Sequence, residues 1–579
     1  MASTTAMFTA LTGMVASARN LDVIGNNIAN VNTTAFKSSR MLFSTQFART
    51  LSAGTPPSAN SGGTNPAQIG LGVQIAGIQR DFSNGSVTAT GDPRDLAIDG
   101  NGFFIVQQGD RQAYTRAGAF RQNYNNDLVN VLGDRVQGFG VDANFNIIPG
   151  TLTNLNIPVG SLTLAEQTQN VRLAGNLNAG GSLPTQGSLD TLNALTLLAG
   201  ATPPPGPGNV LETGSRLIDI ADPANPTQPL FSAGQTLELN GAKRGTTEIP
   251  TARLTITSTT TVQDMMSFLA TNLQINTSSG NNPDGQTPGV TLDPTTGVMS
   301  IVGNTGTVNN LDIESSDLQI VSPSSATPVR PFTVSDVAQA NGESVRTTFV
   351  AFDSLGNQVS VNLTMVLDQK VTNGGTVWRY YADSPDNLGG TPVVGTGTVS
   401  FNSTGALTSG SSIPLSLDRT GTGAVSPMDF DLVLASTTDS VKALADQDSQ
   451  IAAVSQDGAP LGVLAGFSVG ADGIITGGFT NGLTRTLGQV AIATFANTEG
   501  LVDIGNSLFA TGPSSGAAQV SAAQSLGAGK IVGGSLELSN VDLSQEFINM
   551  ILASTGYSAA SRVITTTDQL MQQLLVLGR

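Results

Sequence analysis

Apolar residues at the two ends of the chain recur at helical spacing, whereas those of the middle alternate or cluster in short runs between glycines and asparagines. Near the N-terminus, Met7, Leu11, Met14, Ala18, Leu21 and Ile28 fall at steps of four and three, Gly25 completes the series, and Ile24 and Val31 widen the stripe. This spacing predicts one amphipathic helix, a rod of about 29 residues and roughly 43 Å. The last forty residues repeat the theme. Asp542 and Gln545 have capping-box spacing. Leu543, Phe547, Met550, Tyr557, Ile564, Met571 and Leu575 keep a heptad register, broken at Ser554, Ser561 and Asp568. A second row, Ile548, Ile551, Leu552, Ala559, Val563, Leu570, Leu574 and Leu577, falls beside it or on another face. Gly556 within this helix costs about 1 kcal/mol relative to Ala.

A helix with apolar residues on two faces needs neighbours on several sides. Two arrangements supply them: a two-helix pair within one monomer, or both ends packing laterally against copies of themselves. The scarcity of charges beside the stripe, which normally set pairing in a soluble coiled coil, favours the second. Asn26, Asn27, Asn30 and Asn32 cluster where the first stripe ends, as expected of side chains that bond to backbone and set turns. Leu536, Glu537, Leu538, Ser539 and Asn540 lead into the last helix in a similar way, with Glu537 and Asp542 expected to act as carboxylates at a helix start.

Between the ends the pattern is that of strands and turns. Residues 96–106 place two apolar runs around Asp99-Gly100-Asn101-Gly102, a hairpin signal. Residues 352–357 lead into the alternating strand Val359, Val361, Leu363, Met365, and Gly473 and Gly482 punctuate further strand pairs. The run PPPGPG at 203–208 and Pro323, Pro328 and Pro331 bracket a segment of different character. Within it Val262, Met265, Leu269 and Leu273 predict one short helix after Thr261. The fold class expected is mainly β and multidomain, with long N- and C-terminal α-helices, and residues 181–339 read as an inserted, mostly β domain.

Composition narrows the chemistry. The 579 residues include no Cys and no His, so disulfides, thiol nucleophiles, Ser-His triads and the common Cys/His zinc sites are excluded. Charged residues are 12% and Gly numbers 67, which suits turn-rich β structure. A net charge of −17 disfavours nucleic acid, and the middle carries −19 while the first fifty residues carry +3 and the last fifty −1, which suits termini packed on protein and a middle facing water. No apolar run reaches the ~18 residues of a membrane span, and neither membrane insertion nor a cleavable secretory signal is expected.

The run LDVIGNNIANVNT at 21–33, followed by Phe36-Lys37, resembles the N-terminal signature of the flagellar rod, hook and hook-junction axial proteins. Leu96-Ala97-Ile98 with Gly102-Phe103-Phe104, the run 114–120, and the C-terminal stretches 536–551 and 561–570 resemble other segments of that family. Gly175-Asn176-Leu177, residues 352–357, Asn481-Gly482, Leu487-Gly488-Gln489, Phe495-Ala496-Asn497 and Gly500-Leu501 resemble its hook members in particular. The resemblance implies terminal helices pairing as a helical inner domain with discontinuous β-rich outer domains. On that reading residues 1–70 form the N-terminal helix and connecting segment, 71–149 with 450–530 one β domain, 150–180 with 340–449 an outer β domain, 181–339 the variable insert, and 531–579 the C-terminal helix.

The same resemblance implies a structural subunit of the flagellar hook: a homopolymer, a flexible universal joint for motility, extracellular and exported by the flagellar type III apparatus. Its implied partners are the distal rod protein, the hook cap protein and the hook–filament junction protein, and it implies no cofactor. Packing between subunits is expected at Met7, Leu11, Met14, Leu21, Ile24, Ile28 and Val31, and at Leu543, Phe547, Met550, Ile551, Tyr557, Ile564, Met571 and Leu574. Asn26, Asn27, Asn30, Asn32, Ser539 and Asn540 form the axial signature.

A rod or junction member of the same family is the alternative, against which length argues. An acidic glycosidase would need paired carboxylates; the candidates Asp92, Asp95, Asp99, Asp353 and Asp368 sit beside Gly and Asn, as turn residues do. Asp457-Gly458 and Asp472-Gly473 lack the spacing of a calcium loop. A surface adhesin would explain the β content but not the two heptad ends.

Overall fold

The computed structural model describes residues 2–59, 61–199, 211–323, 325, 327–436 and 440–577, apart from the side chains of 2–4, 574, 575 and 577. The run at 203–208 and the side chain of Leu574 therefore lie outside the described residues. Among the described residues there are three α-helices, α1 (Ala2–Ala29), α2 (Val262–Asn272) and α3 (Leu543–Leu577), and the other regular elements are strands and three short 3-10 turns. The chain divides into two compact units, Met1–Leu164 with Gly462–Arg579, and Ala165–Leu461.

In the first unit α1 and α3 pack against each other. Beyond α1 the chain forms a long antiparallel hairpin, Ser39–Thr45 with Val73–Arg80, continued by Ala48–Ser52 with Ala67–Gly70. Both chain ends then join the β body on matched strands: Val87–Ala89 pairs with Ser535–Glu537, and Leu96–Asp99 with Lys530–Gly533. The body is built on Phe103–Gln108, Arg111–Thr115, Arg135–Val141 and Thr484–Thr494. Residues alternate across a strand, and here both faces are buried. Phe104 and Val106 enter one core with Val136, Val490 and Ile492, while Phe103 and Ile105 enter another with Tyr114, Ala491 and Phe509. That is why the run at 103–106 is apolar without a break.

The hairpin expected at 96–106 does not form. Leu96–Asp99 pairs with Lys530–Gly533 and Phe103–Gln108 with Arg111–Thr115, so the two runs belong to different sheets. Gly100 and Gly102 have φ of 113° and 129°, and a Cβ on Gly100 would stand 2.8 Å from the Cα of Gly529. These glycines pass the chain tightly beside the C-terminal segment instead of folding it back on itself.

The second unit carries a five-stranded antiparallel meander, Ser344–Phe352, Gln358–Lys370, Thr376–Asp383, Val393–Phe401 and Leu407–Ser409. Val359, Val361, Leu363 and Met365 are buried on one face, following the alternation. They share a core with Val171, Leu173 and Leu177 of strand Asn170–Asn178 and with Leu415 and Phe430. Residues between 192 and 334 build a separate core around α2, whose Val262, Met265 and Leu269 are buried. Thr261 and Asp264 close a full capping box at its start.

Candidate functional site

The helix pair at the chain ends gathers most of the residues singled out from the sequence. It is antiparallel: Asn27 meets Glu546, Gly556 faces Ser17, and Ala10 and Val563 line one cleft, so numbers fall along α3 as they rise along α1. Small residues let the axes approach. Ala10, Ala16 and Ile24 are buried on α1 and Ala553 on α3, and a Cβ on Gly556 would lie 3.3 Å from the Ser17 Oγ. The two-helix pairing within one chain is thus present, and it leaves much of the apolar stripe uncovered.

Of the apolar positions expected to pack, Ile24 is buried. Met14, Leu21, Ile28, Val31, Met550 and Ile564 are half-buried, and Met7, Leu11, Leu543, Phe547, Ile551, Tyr557 and Met571 are exposed. On α3 exposed apolar residues run the length of the helix, from Leu543 to Val576, and between 547 and 552 four of them cluster, with Phe547 at 49%, Ile548 at 52%, Ile551 at 62% and Leu552 at 64%. An exposed apolar stripe on a helix marks an interaction surface.

Below the pair, polar residues form a collar joining both ends of the chain. Asn27 is buried; its Nδ2 donates to Ser39 O (2.8 Å) and Glu546 Oε1 (3.1 Å), and its Oδ1 accepts from Ser39 N (3.0 Å). Asn30 Nδ2 donates to Asn26 O (2.9 Å), closing the end of α1, and Asn30 Oδ1 accepts from Thr33. Asn32 is exposed. Asn540 Oδ1 accepts from Ser38 N (2.8 Å) while its Nδ2 donates to Asp81 O (2.9 Å), and Ser539 Oγ accepts from Val541 N. The capping box expected at α3 is half-formed. Asp542 accepts from Ser544 N (2.9 Å) and Gln545 N (3.2 Å), but the Gln545 side chain donates onward to Asn549.

Glu537 does not act at the helix start. It lies in strand Ser535–Glu537 with its side chain turned inward, where Oε1 accepts from Lys37 Nζ (2.7 Å) and Gly85 N (2.9 Å). Arg116 NH1 stands 3.7 Å from Glu537 Oε2, its NH2 donates to Gly100 O (2.8 Å), and its guanidinium lies over the Phe103 ring. Burial holds the Lys37 ammonium below its ordinary value, opposed by the bond to Glu537, and burial lowers the Arg116 guanidinium likewise. Lys37 and Arg116 appeared in the sequence only as members of runs, and nothing in their neighbourhoods, which also hold Arg40, Arg111 and Arg121, set them apart.

The carboxylates weighed for catalysis or metal binding are otherwise engaged. Asp92 holds Arg94 (2.7 Å), Asp95 holds Arg121 (2.9 Å), Asp99 holds Lys530 (3.1 Å) and Asp368 holds Arg379 (2.9 Å). Asp353 accepts from Leu355 N and Asn357 N and Asp472 from Ile474 N, which are turn bonds; Asp353 also takes Arg419 NH2 at 3.2 Å, and Asp457 accepts from Asn170 N, a residue far away in sequence. Among the described residues no group of three or more His, Cys, Asp or Glu is placed to hold a metal ion, and no helix is long and apolar enough to cross a membrane.

Comparison with known proteins follows the same geography. Residues 7–37 match the family described as "Flagella basal body rod protein" and residues 532–577 "Flagellar basal body rod FlgEFG protein C-terminal". Residues 97–174 match "Flagellar hook protein FlgE/F/G D1 domain" and 317–459 "Flagellar basal body protein FlaE D2 domain". The chain is 30% identical to the flagellar hook protein of Treponema pallidum, with 99% of each chain covered. It is 27% identical to those of Borreliella burgdorferi and Salmonella typhimurium, with 98% of each chain covered in both cases.

Proposed function

The chain belongs to the flagellar hook protein family, and from that premise we propose that it is a structural subunit that self-assembles into the hook, with α1 and α3 packing laterally on copies of themselves. The observation that carries this reading is the apolar turn of α3 at Phe547, Ile548, Ile551 and Leu552, left exposed although α3 already has α1 as a partner. A lattice of copies covers such a face without any new fold element.

The role is mechanical and not catalytic: a flexible universal joint coupling rod and motor to the filament. The β-rich body, poor in charge and rich in Ser, Thr, Asn and Gly, suits outer contacts that re-register as the joint bends, since no lattice of ion pairs has to break. The partners in this reading are further copies, the distal rod protein, the hook cap protein, the hook–filament junction protein and the type III export apparatus. Its place is outside the cell, in the flagellar hook.

Ile551→Asp tests the packing. The variant is expected to keep the parent's circular dichroism and melting profile while losing growth into polymers, as seen by sedimentation and electron microscopy. Hooks built at the parent's rate from that variant would overturn the lateral-packing model.

A further inference from the structure

Residues 187–338 leave and return to their carrier, the 344–409 meander, on adjacent strands. Gly187–Leu192 pairs antiparallel with Val334–Ala338, Leu189 opposite Ala338 and Leu192 opposite Val334. The hydrophobic cores of insert and carrier are separate. A lobe hung on a two-strand neck with no shared apolar core is free to swing unless something else holds it.

Polar contacts span the junction: Val308 N donates to Ser344 Oγ (3.1 Å), Arg379 NH1 donates to Ser279 O, and beside them lies a buried cluster. Arg244, from strand Lys243–Arg244 of the insert, is 3% exposed, and its NH1 stands 3.7 Å from Asp383 Oδ1 at the end of the carrier strand Thr376–Asp383. From the carrier side, Arg346 NH2 approaches Asp383 Oδ2 at 3.9 Å. Gln274 bridges the two guanidiniums, its Oε1 accepting from Arg244 NH1 (3.2 Å) and from Arg346 NH2 (2.9 Å). Asn309 Oδ1 takes the remaining edge of Arg244 at 2.7 Å, and Asn362 Nδ2 donates to Asp383 at 3.0 Å.

The backbone at Gln274 bears on the same cluster. Gln274 follows α2 at φ 55°, the left-handed position after a helix that glycine occupies without strain. A glycine would sit there without strain, and what the position gains from glutamine is the amide that joins Arg244 to Arg346.

We infer that Arg244, Asp383, Arg346 and Gln274 form an interdomain lock that fixes the insert in one orientation on its carrier, making the two a single rigid body. A buried charge cluster suits this task better than an apolar contact, because guanidinium and carboxylate are satisfied in only one register, and any swing strands a buried charge. The inference stands apart from the function proposed above.

The chain has no cysteine, so two engineered ones give a clean pair of spin labels. Gln228→Cys on the insert and Ser409→Cys on the carrier are both exposed strand positions. Electron–electron resonance on the full chain is expected to give a narrow distance distribution, broadened about two-fold by Asp383→Asn and by Gln274→Gly. The glycine variant relieves the backbone while removing the amide, so broadening there reads loss of the lock and not unfolding. A parent distribution already broad, or a Gln274→Gly distribution as narrow as the parent's, overturns the inference.

Discussion

Lys37 Nζ and Glu537 Oε1 meet at 2.7 Å, both side chains closed to solvent, across 500 residues of sequence. The pair ties the segment between the first helix and the strand Ser39–Thr45 to the strand before the last helix, and Arg116 closes it from the β body. Removing one partner strands a buried charge, which costs about 3–5 kcal/mol. Glu537→Gln and Lys37→Met are each expected to lower the stability of the first unit by that order. The double variant loses less than the sum, because neither charge is then stranded by the other's absence. Denaturant melts of the full chain check this; additive losses would show that the two groups act independently.

Gly118 has no room for a side chain. A Cβ there would lie 1.7 Å from the Leu96 carbonyl oxygen, the group whose own amide donates to Gly118 O at 2.9 Å. That contact is backbone, so it cannot rotate away. Gly118→Ala is expected to displace strand Leu96–Asp99 and cost more than about 3 kcal/mol, the upper range of single substitutions. Loss of the cooperative melt of the first unit, with the second unit unaffected, is the readout.

These two sites show where sequence reading reached and where it stopped. The terminal helices and the strand at 359–365 were legible because burial on one face imposes a period, 3.6 or 2, that the side chains must follow. Asp542 was legible as a cap because its bonds are local. Glu537 was misread for the converse reason: its partners are Lys37 and Arg116, and nothing in the spacing of a chain announces a contact over hundreds of residues. The hairpin at 96–106 failed on the same ground, since a strand's partner is chosen by the tertiary fold and the glycine pair signalled only a turn. The exposed side of α3 was visible as a second apolar row, but which row meets α1 was decided by small residues, Ala553 and Gly556, that carry no hydropathy signal.

Asp190 makes the insert's stability depend on pH. It is 1% exposed, its Oδ2 has no hydrogen-bond partner, and it faces Asp336 across the strand pair and Asp312, which itself takes Lys243 at 3.7 Å. Burial first, then Asp336 and Asp312, push its carboxyl up from 3.8 to about 7. The folded state therefore keeps a proton that the unfolded state releases between about pH 4 and 7. Stability falls as pH rises through that window and levels off above it, a total of about 4 kcal/mol if the shift is realised in full. Carboxylates held low, such as Asp92 and Asp353, act in the opposite sense but below about pH 4, outside this window. Asp190→Asn is expected to flatten the profile and to stabilise the second unit at pH 8 relative to the parent. Melting the two proteins at pH 5 and pH 8 decides it; parallel profiles would remove Asp190 as the cause.

Gly556 balances helix propensity against approach distance. In the middle of α3 it costs about 1 kcal/mol relative to Ala, yet it lies where Ser17 of α1 comes closest, 3.3 Å from the position of an added Cβ. The atom met is a hydroxyl that can rotate, so one methyl fits with a shift of a few tenths of an ångström. Gly556→Ala is accordingly expected to leave the helix pair intact and raise its stability by up to about 1 kcal/mol. Gly556→Leu brings branched carbons where no rotation of Ser17 makes room, and is expected to push the helices apart at a cost of about 1–3 kcal/mol. The Leu variant combined with Ser17→Gly should recover part of that loss, since the space is returned from the facing side. Helical circular dichroism through thermal melts of the three variants gives the order. A Leu variant as stable as the parent would mean that α1 and α3 are not in contact at this level.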